Sequence, residues 1–142
     1  MNTFVILLFL LVAFQLKHYL VDFVIQINDP NGMRKFDATG WVMPLLKHAS
    51  QHGLMSAIIA ASFYLALSTT EAVTLGFTHL IIIIGVFLFD TSIHFTMDRI
   101  KASPYMLGRY GPNDKGYWYA LGADQAVHHL THYAIIGFLL LY

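Results

Sequence analysis

Residues 80–98 read LIIIIGVFLFDTSIHFTMD, and this stretch decides the fold class. The run from residue 80 to residue 89 carries no charge and is apolar on every face of a helix, which is typical of a membrane span. The remainder places Asp90, His94 and Asp98 at intervals of four, so their side chains share one helix face. The stretch therefore combines a spanning helix with a ladder of polar side chains.

The composition of the whole chain points in the same direction. Of its 142 residues, 57% are hydrophobic and 11% are charged, whereas a soluble domain usually has about a quarter charged residues. The chain has no cysteine, and its Lys and Arg residues equal its Asp and Glu residues in number. These figures exclude a disordered chain, a disulfide-stapled secreted scaffold and a basic nucleic-acid binder. We predict a single membrane domain over residues 1–142.

Four apolar stretches are long enough to cross a hydrocarbon core, which takes about 20 helical residues. We predict an all-α membrane protein with four transmembrane helices in an antiparallel bundle. Because no basic residue precedes the first stretch, we expect it to be retained as a span rather than cleaved as a signal peptide. The predicted spans cover residues 3–27, 41–68, 73–99 and 119–141.

All eight Lys and Arg residues lie in or beside the first and third connections between these spans. The positive-inside rule assigns that side to the cytoplasm. We therefore expect a multi-pass protein of a bacterial inner membrane, or that of a phage-infected host, with loops 28–40 and 100–118 in the cytoplasm. Both termini and the short second connection, whose sole charge is Glu71, are expected outside.

Side chains that can bind metal recur at helical spacing in all four spans. They occupy the C-terminal parts of spans one and three and the N-terminal parts of spans two and four, so antiparallel packing brings them to one side. An ionisable residue in a span costs about 2.5 to 3.5 kcal/mol and therefore needs a partner. The predicted metal ligands are His18, Asp22, His48, His52, Asp90, His94, Asp98, Asp124, His128 and His132.

Neutral histidines with carboxylates are a usual ligand set for Zn, Mn or Fe, so we expect one or two divalent ions. Four carboxylates would balance two such ions, which makes a two-metal centre the preferred interpretation and a single ion the next. The alternative without metal is a set of buried Asp–His pairs. His79 lies towards the outer side and is expected to pack, and one of His128 and His129 is expected to lie outside the ligands.

Four motifs follow one another along the chain. They are His18-x-x-x-Asp22-Phe-x-x-Gln26, His48-x-x-x-His52, His94-Phe-x-x-Asp98-x-x-Lys101 and Asp124-Gln125-x-x-His128. Together they resemble a family of small bacterial and phage membrane proteins known only as a domain of unknown function. The resemblance implies the topology and the shared polar positions but names no reaction. Asp90, His129 and His132 lie outside the motifs, so their roles rest on helical geometry.

Three kinds of function remain open. The first is a metal-dependent hydrolase that acts on a lipid or phosphate-bearing substrate at the membrane interface, with Asp22, Asp98 and Asp124 in catalytic roles. The second is a di-iron lipid oxidoreductase. The third is a metal or proton carrier, or a scaffold that metal stabilises. The expected partners are the lipid bilayer and such a substrate, without nucleic acid, and an oligomer is compatible with the sequence.

Overall fold

The structure is a computed structural model that describes residues 3–70 and 73–142. Within these ranges the chain is helical and contains no β-strand. Glu71, expected in an outer loop, lies outside the described residues. The fold is built from α1 (Thr3–Asn28), α2 (Val42–Thr69), α3 (Phe77–Ala102) and α4 (Lys115–Leu141).

Three of these helices are long and apolar enough to cross a membrane. They are α1, α2 and the stretch Phe77–Arg109, which contains α3. The chain is therefore consistent with a membrane protein. By length and composition, α4 is not shown to be able to cross a membrane, although it has 27 residues.

The helix bounds differ from the predicted spans at the ends of α3 and at the start of α4. α3 begins at Phe77 instead of residue 73, because Gly76 is extended and its backbone N–H donates to His79 Nδ1 at 3.2 Å. It continues past residue 99 and ends before Ser103, since a residue that precedes a proline avoids the helical conformation. α4 begins at Lys115, earlier than the predicted 119.

The buried side chains form an apolar layer and a polar layer. The low-numbered halves of α1 and α3 meet the high-numbered halves of α2 and α4 in the apolar layer. Consecutive helices therefore run in opposite directions. The apolar layer consists of Leu10, Phe14, Ala60, Phe63, Tyr64, Ile82, Val86, Ile135, Ile136 and Leu139.

The winding of α1 changes along its length. The segment Thr3–Tyr19 is α-helical, Leu20–Ile25 is π-helical and Gln26–Asn28 is again α-helical. Short π-helical turns are rare and are frequent at functional sites. Asp22 lies inside this turn, so the wider winding gives its carboxylate a different direction from the one it would have in a regular α-helix.

α2 packs closely on α3 at Gly53. A Cβ atom placed on this glycine would lie 2.5 Å from the backbone oxygen of Phe87 and would also overlap the hydroxyl of Thr91. Small residues let helix backbones approach each other in membranes. The close contact of these two helices therefore depends on the missing side chain.

We expect Gly53→Ala to destabilise the protein by about 1 to 3 kcal/mol, the usual range for an overpacked core, because the Phe87 backbone must move. Gly85→Ala is the matched control: a Cβ at Gly85 meets no atom within 4 Å, and alanine favours a helix over glycine. Thermal unfolding in detergent should give a lower midpoint for Gly53→Ala alone. Equal midpoints would contradict the close packing.

Candidate metal centre

The structure brings all ten predicted ligands into contact in one layer, which we call the polar layer. Nine of them are buried, and the side chain of Asp22 is 17% exposed. Each helix contributes two or three members. These are His18 and Asp22 from α1, His48 and His52 from α2, Asp90, His94 and Asp98 from α3, and Asp124, His128 and His132 from α4.

Asp22 is surrounded by imidazole rings. Its Oδ1 atom lies 3.1 Å from His48 Nε2 and 3.0 Å from His52 Nε2. Its Oδ2 atom lies 3.2 Å from His18 Nε2. Within residues 3–70 and 73–142, no lysine or arginine forms an ion pair with this carboxylate. The negative charge of Asp22 is therefore met by histidines alone.

His48 Nε2 faces two carboxylates at once. It lies 3.1 Å from Asp22 Oδ1 and 3.1 Å from Asp98 Oδ2, but its geometry forms no hydrogen bond with either. Ligands held 2.0–2.1 Å from a tetrahedral ion lie about 3.3 Å apart. The spacing of Asp22, His48 and His52 therefore fits a shared divalent ion.

Each of the other three carboxylates is paired with a lysine. The pairs are Lys17 Nζ to Asp90 Oδ2 at 2.7 Å, Lys35 Nζ to Asp98 Oδ2 at 2.9 Å and Lys101 Nζ to Asp124 Oδ2 at 2.7 Å. The sequence placed these lysines at the membrane face. The structure adds that the side chains of Lys17 and Lys35 are buried, at 1% and 5% exposed. Their long side chains turn inward because buried carboxylates require a charged partner.

The lysines change the charge balance of the polar layer. The prediction of two ions assumed that four carboxylates have no cationic partner. Three lysines supply three of the four compensating charges, which leaves the charge of Asp22 to be balanced. One negative charge therefore remains, which one divalent ion would exceed by one charge and two ions would exceed by three.

Asp98 and Asp124 share a histidine as well as having a lysine each. The Oδ1 atoms of both lie 3.2 Å from His128 Nε2. A carboxylate that pairs with both a lysine and His128 is better suited to hold these side chains in place than to transfer protons. Catalytic roles for Asp98 and Asp124 stay predictions.

Imidazole rings fill the centre of the polar layer. His94 stacks on His52 with ring centroids 3.7 Å apart and on His128 at 4.0 Å. Buried polar atoms usually have a hydrogen-bond partner, often an ordered water. Among the described residues, the buried ring nitrogens that have no hydrogen-bond partner in the protein include His18 Nδ1, His48 Nδ1, His52 Nδ1, His94 Nε2, His128 Nδ1 and His132 Nδ1. The layer thus has more ligand atoms than its own hydrogen bonds use.

Of the two remaining histidines, His79 lies apart from the polar layer, whereas His129 lies at its edge, with its ring centroid 5.6 Å from that of His18. His79 contacts the ring of Tyr64 at 4.7 Å between centroids, in the half of the helix that holds the apolar layer. His129 is half-buried, and its Nδ1 atom accepts a hydrogen bond from the Gln15 amide at 3.1 Å. Of the adjacent pair, His128 is therefore the one that enters the layer.

Sequence reasoning missed four residues that contact the layer. Besides the three lysines, Ser56 donates to Asp90 Oδ2 at 2.7 Å. The sequence contained an indication for Lys101, because it follows Asp98 by three residues in the third motif. It contained no indication that Lys17 and Lys35 contact the layer, since their partners lie far away in the sequence.

Comparisons with protein-family models, with curated proteins and with solved structures found no match to this chain. Membership of the family that the motifs resemble stays a prediction. The function therefore has to be inferred from the polar layer itself.

We expect Lys35→Met to destabilise the protein by about 3 to 5 kcal/mol, because it leaves Asp98 buried without its cation. The double variant Lys35→Met/Asp98→Asn should regain much of this loss, since it buries no unpaired charge. The midpoint of thermal unfolding in detergent measures both effects.

Lys47→Met is the matched control for this comparison. Lys47 Nζ lies 2.7 Å from Asp29 Oδ2, but its side chain is 57% exposed. Solvent weakens such a pair, so the substitution should have little effect. If Lys35→Met and Lys47→Met lower the unfolding midpoint equally, burial of the Lys35–Asp98 pair does not determine its contribution to stability.

Proposed function

We propose that this chain is a membrane metalloprotein that binds one divalent ion between Asp22, His48 and His52 and hydrolyses a lipid or phosphate-bearing substrate. One observation carries the proposal: Asp22 has two imidazole Nε2 atoms at 3.0 and 3.1 Å, the nearer of which is in hydrogen-bond geometry, and no lysine partner among the described residues. Carboxylate and imidazole ligands suit Zn, Mn or Fe. The chain has no cysteine that would favour a softer ion.

The proposed set of three ligands leaves one coordination position of the ion for a reactant. Catalytic zinc sites keep three protein ligands and one open position, whereas structural sites use four. Asp22 is the most exposed of the four carboxylates of the polar layer, at 17%. When bound, a divalent ion there supplies Lewis acidity and activates water for hydrolysis.

Neighbouring residues hold the ligands in place. His18 Nε2 lies 3.2 Å from the second oxygen of Asp22 and 3.1 Å from the Gln125 side-chain oxygen, which orients the carboxylate. Such outer contacts fix ligand geometry and tune metal affinity. We assign His18 a positioning role. Asp98 Oδ2 lies 3.1 Å from His48 Nε2, the atom proposed to bind the ion, so it does not orient the ring from outside.

The substrate class follows from how the centre can be reached. Two lateral grooves, of about 470 and 480 Å³, are lined by side chains outside the polar layer. Four exposed basic residues, in contrast, lie at the end of the bundle nearest this layer: Arg34, Lys47, Arg109 and Lys115. Arg34 pairs with Asp37 and Lys47 with Asp29, so Arg109 and Lys115 are the two that no carboxylate of the described residues neutralises. Basic residues at a membrane surface attract anionic head groups. We infer that an anionic substrate approaches from that end.

A metal-free polar network is the second candidate. It is favoured by the three Lys–Asp pairs, which stabilise Asp90, Asp98 and Asp124 without an ion. In this case the layer only holds the helices together. A carrier is less favoured, because the apolar layer fills the other half of the bundle with residues such as Phe14 and Ile135.

The metal content of the purified protein separates the two candidates. We expect about one equivalent of Zn, Mn or Fe per chain after purification in detergent. Asp22→Asn and His52→Ala should each lower metal affinity by more than about tenfold, because even outer contacts contribute 10–100-fold. His79→Ala is the control and should leave the content unchanged. Wild-type protein without stoichiometric metal would favour the metal-free network.

We also propose four spans, with the basic end in the cytoplasm of a bacterial cell and both termini outside. Support comes from the alternating helix directions, which bring the connections 29–41 and 103–114 to the same end. Exposed lysines and arginines lie at that end, which is the distribution of the positive-inside rule.

Single-cysteine variants test this topology, because the chain has no cysteine of its own. A membrane-impermeant maleimide should label Thr74→Cys and Tyr142→Cys from outside the cell. Asn113→Cys should react only after permeabilisation. If α4 does not span the membrane, Tyr142→Cys will react on the same side as Asn113→Cys.

A further inference from the structure

A second group of potential ligands lies deeper in the polar layer. Asp90, His94 and His132 can each place one ligand atom within 4.8 Å of the others, and all three are 0% exposed. His94 Nδ1 lies 3.1 Å from Asp90 Oδ1. By residue type and spacing, this group resembles the one formed by Asp22, His48 and His52.

The two groups differ in the donors to their carboxylates, because Asp90 accepts from Lys17 and from the Ser56 hydroxyl. The ammonium nitrogen of Lys17 donates to Asp90 Oδ2 at 2.7 Å and to His132 Nε2 at 3.3 Å. The lysine is 1% exposed. The Nζ atom therefore lies where a cation held by Asp90 and His132 would lie, whereas no lysine of the described residues forms an ion pair with Asp22.

We propose that Lys17 closes a second metal site, formed by Asp90, His94 and His132, and so limits the chain to one ion. The limit of one ion rests on the proposed function, but the geometry of the second site stands without it. The role of Lys17 is to occupy the position of the ion with a cation that is tethered to the chain.

Charge and space both prevent Lys17 and a metal ion from binding together. A divalent ion that contacts Asp90 and His132 would lie within a few ångströms of the ammonium group, and like charges at that distance repel strongly in a poorly solvated interior. The Nζ atom also fills the space between the two ligands. Shortening this side chain should therefore expose a site whose other ligands are already in place.

The decisive experiment compares wild type with Lys17→Leu, using Zn²⁺ as the only added metal. Elemental analysis after purification in detergent should show a rise from about one to about two equivalents of zinc per chain. Added Zn²⁺ should also raise the unfolding temperature of Lys17→Leu, because an ion bound only by the folded state stabilises it.

Two variants serve as controls. Lys47→Leu removes a lysine that is also 2.7 Å from a carboxylate, that of Asp29, which belongs to no group of potential metal ligands in the described chain. It should gain no zinc. Lys17→Leu/Asp90→Asn removes both charges of the buried pair, so it should fold and should also gain no zinc.

The outcomes separate this inference from the proposed function. If wild type holds one zinc and folded Lys17→Leu still holds one, the second site is refuted and the proposed function stands. If wild type holds none and Lys17→Leu gains one, the proposed function is wrong and the second site stands. If Lys17→Leu does not fold at any zinc concentration while the double variant folds, zinc cannot replace the ammonium group and the inference fails.

Discussion

A carboxylate inside a bundle of membrane-spanning helices needs a partner from the protein, because lipid offers neither hydrogen bonds nor charge. The polar layer has four such carboxylates, and their partners determine its structure. Asp90, Asp98 and Asp124 each have a lysine, whereas Asp22 has imidazoles. Among the described residues, Asp22 is therefore the carboxylate of the layer whose charge no lysine balances.

The same requirement shapes the first connection. Lys35 lies on the short 3₁₀ helix Gly32–Phe36, and it reaches Asp98 at 2.9 Å while it also donates to Gln26 at 2.8 Å. The guanidinium group of Arg99 stacks 3.8 Å above the ring of Trp41, at the start of α2. The connection is therefore folded back against the polar layer instead of being an independent loop.

The sequence predicts the helices and the composition of the polar layer because both follow from periodicity. Long apolar runs place the helices, and intervals of four residues place His18 and Asp22, or His48 and His52, at matching depths. The inward direction of Lys17 and Lys35 could not be predicted, since the positive-inside rule counts basic residues without regard to where their side chains point. The π-helical turn Leu20–Ile25 also has no marker in the local sequence.

The lysine pairs also show which helices lack a buried ionic connection. Lys17 links α1 to α3, Lys35 links the first connection to α3, and Lys101 links α3 to α4. In the described chain no buried lysine pair links α1 to α2, although the exposed Lys47 reaches Asp29 just beyond the end of α1. The group of Asp22, His48 and His52 lies at that junction. An ion bound there would join α1 to α2, a helix that none of the three lysine pairs of the polar layer reaches.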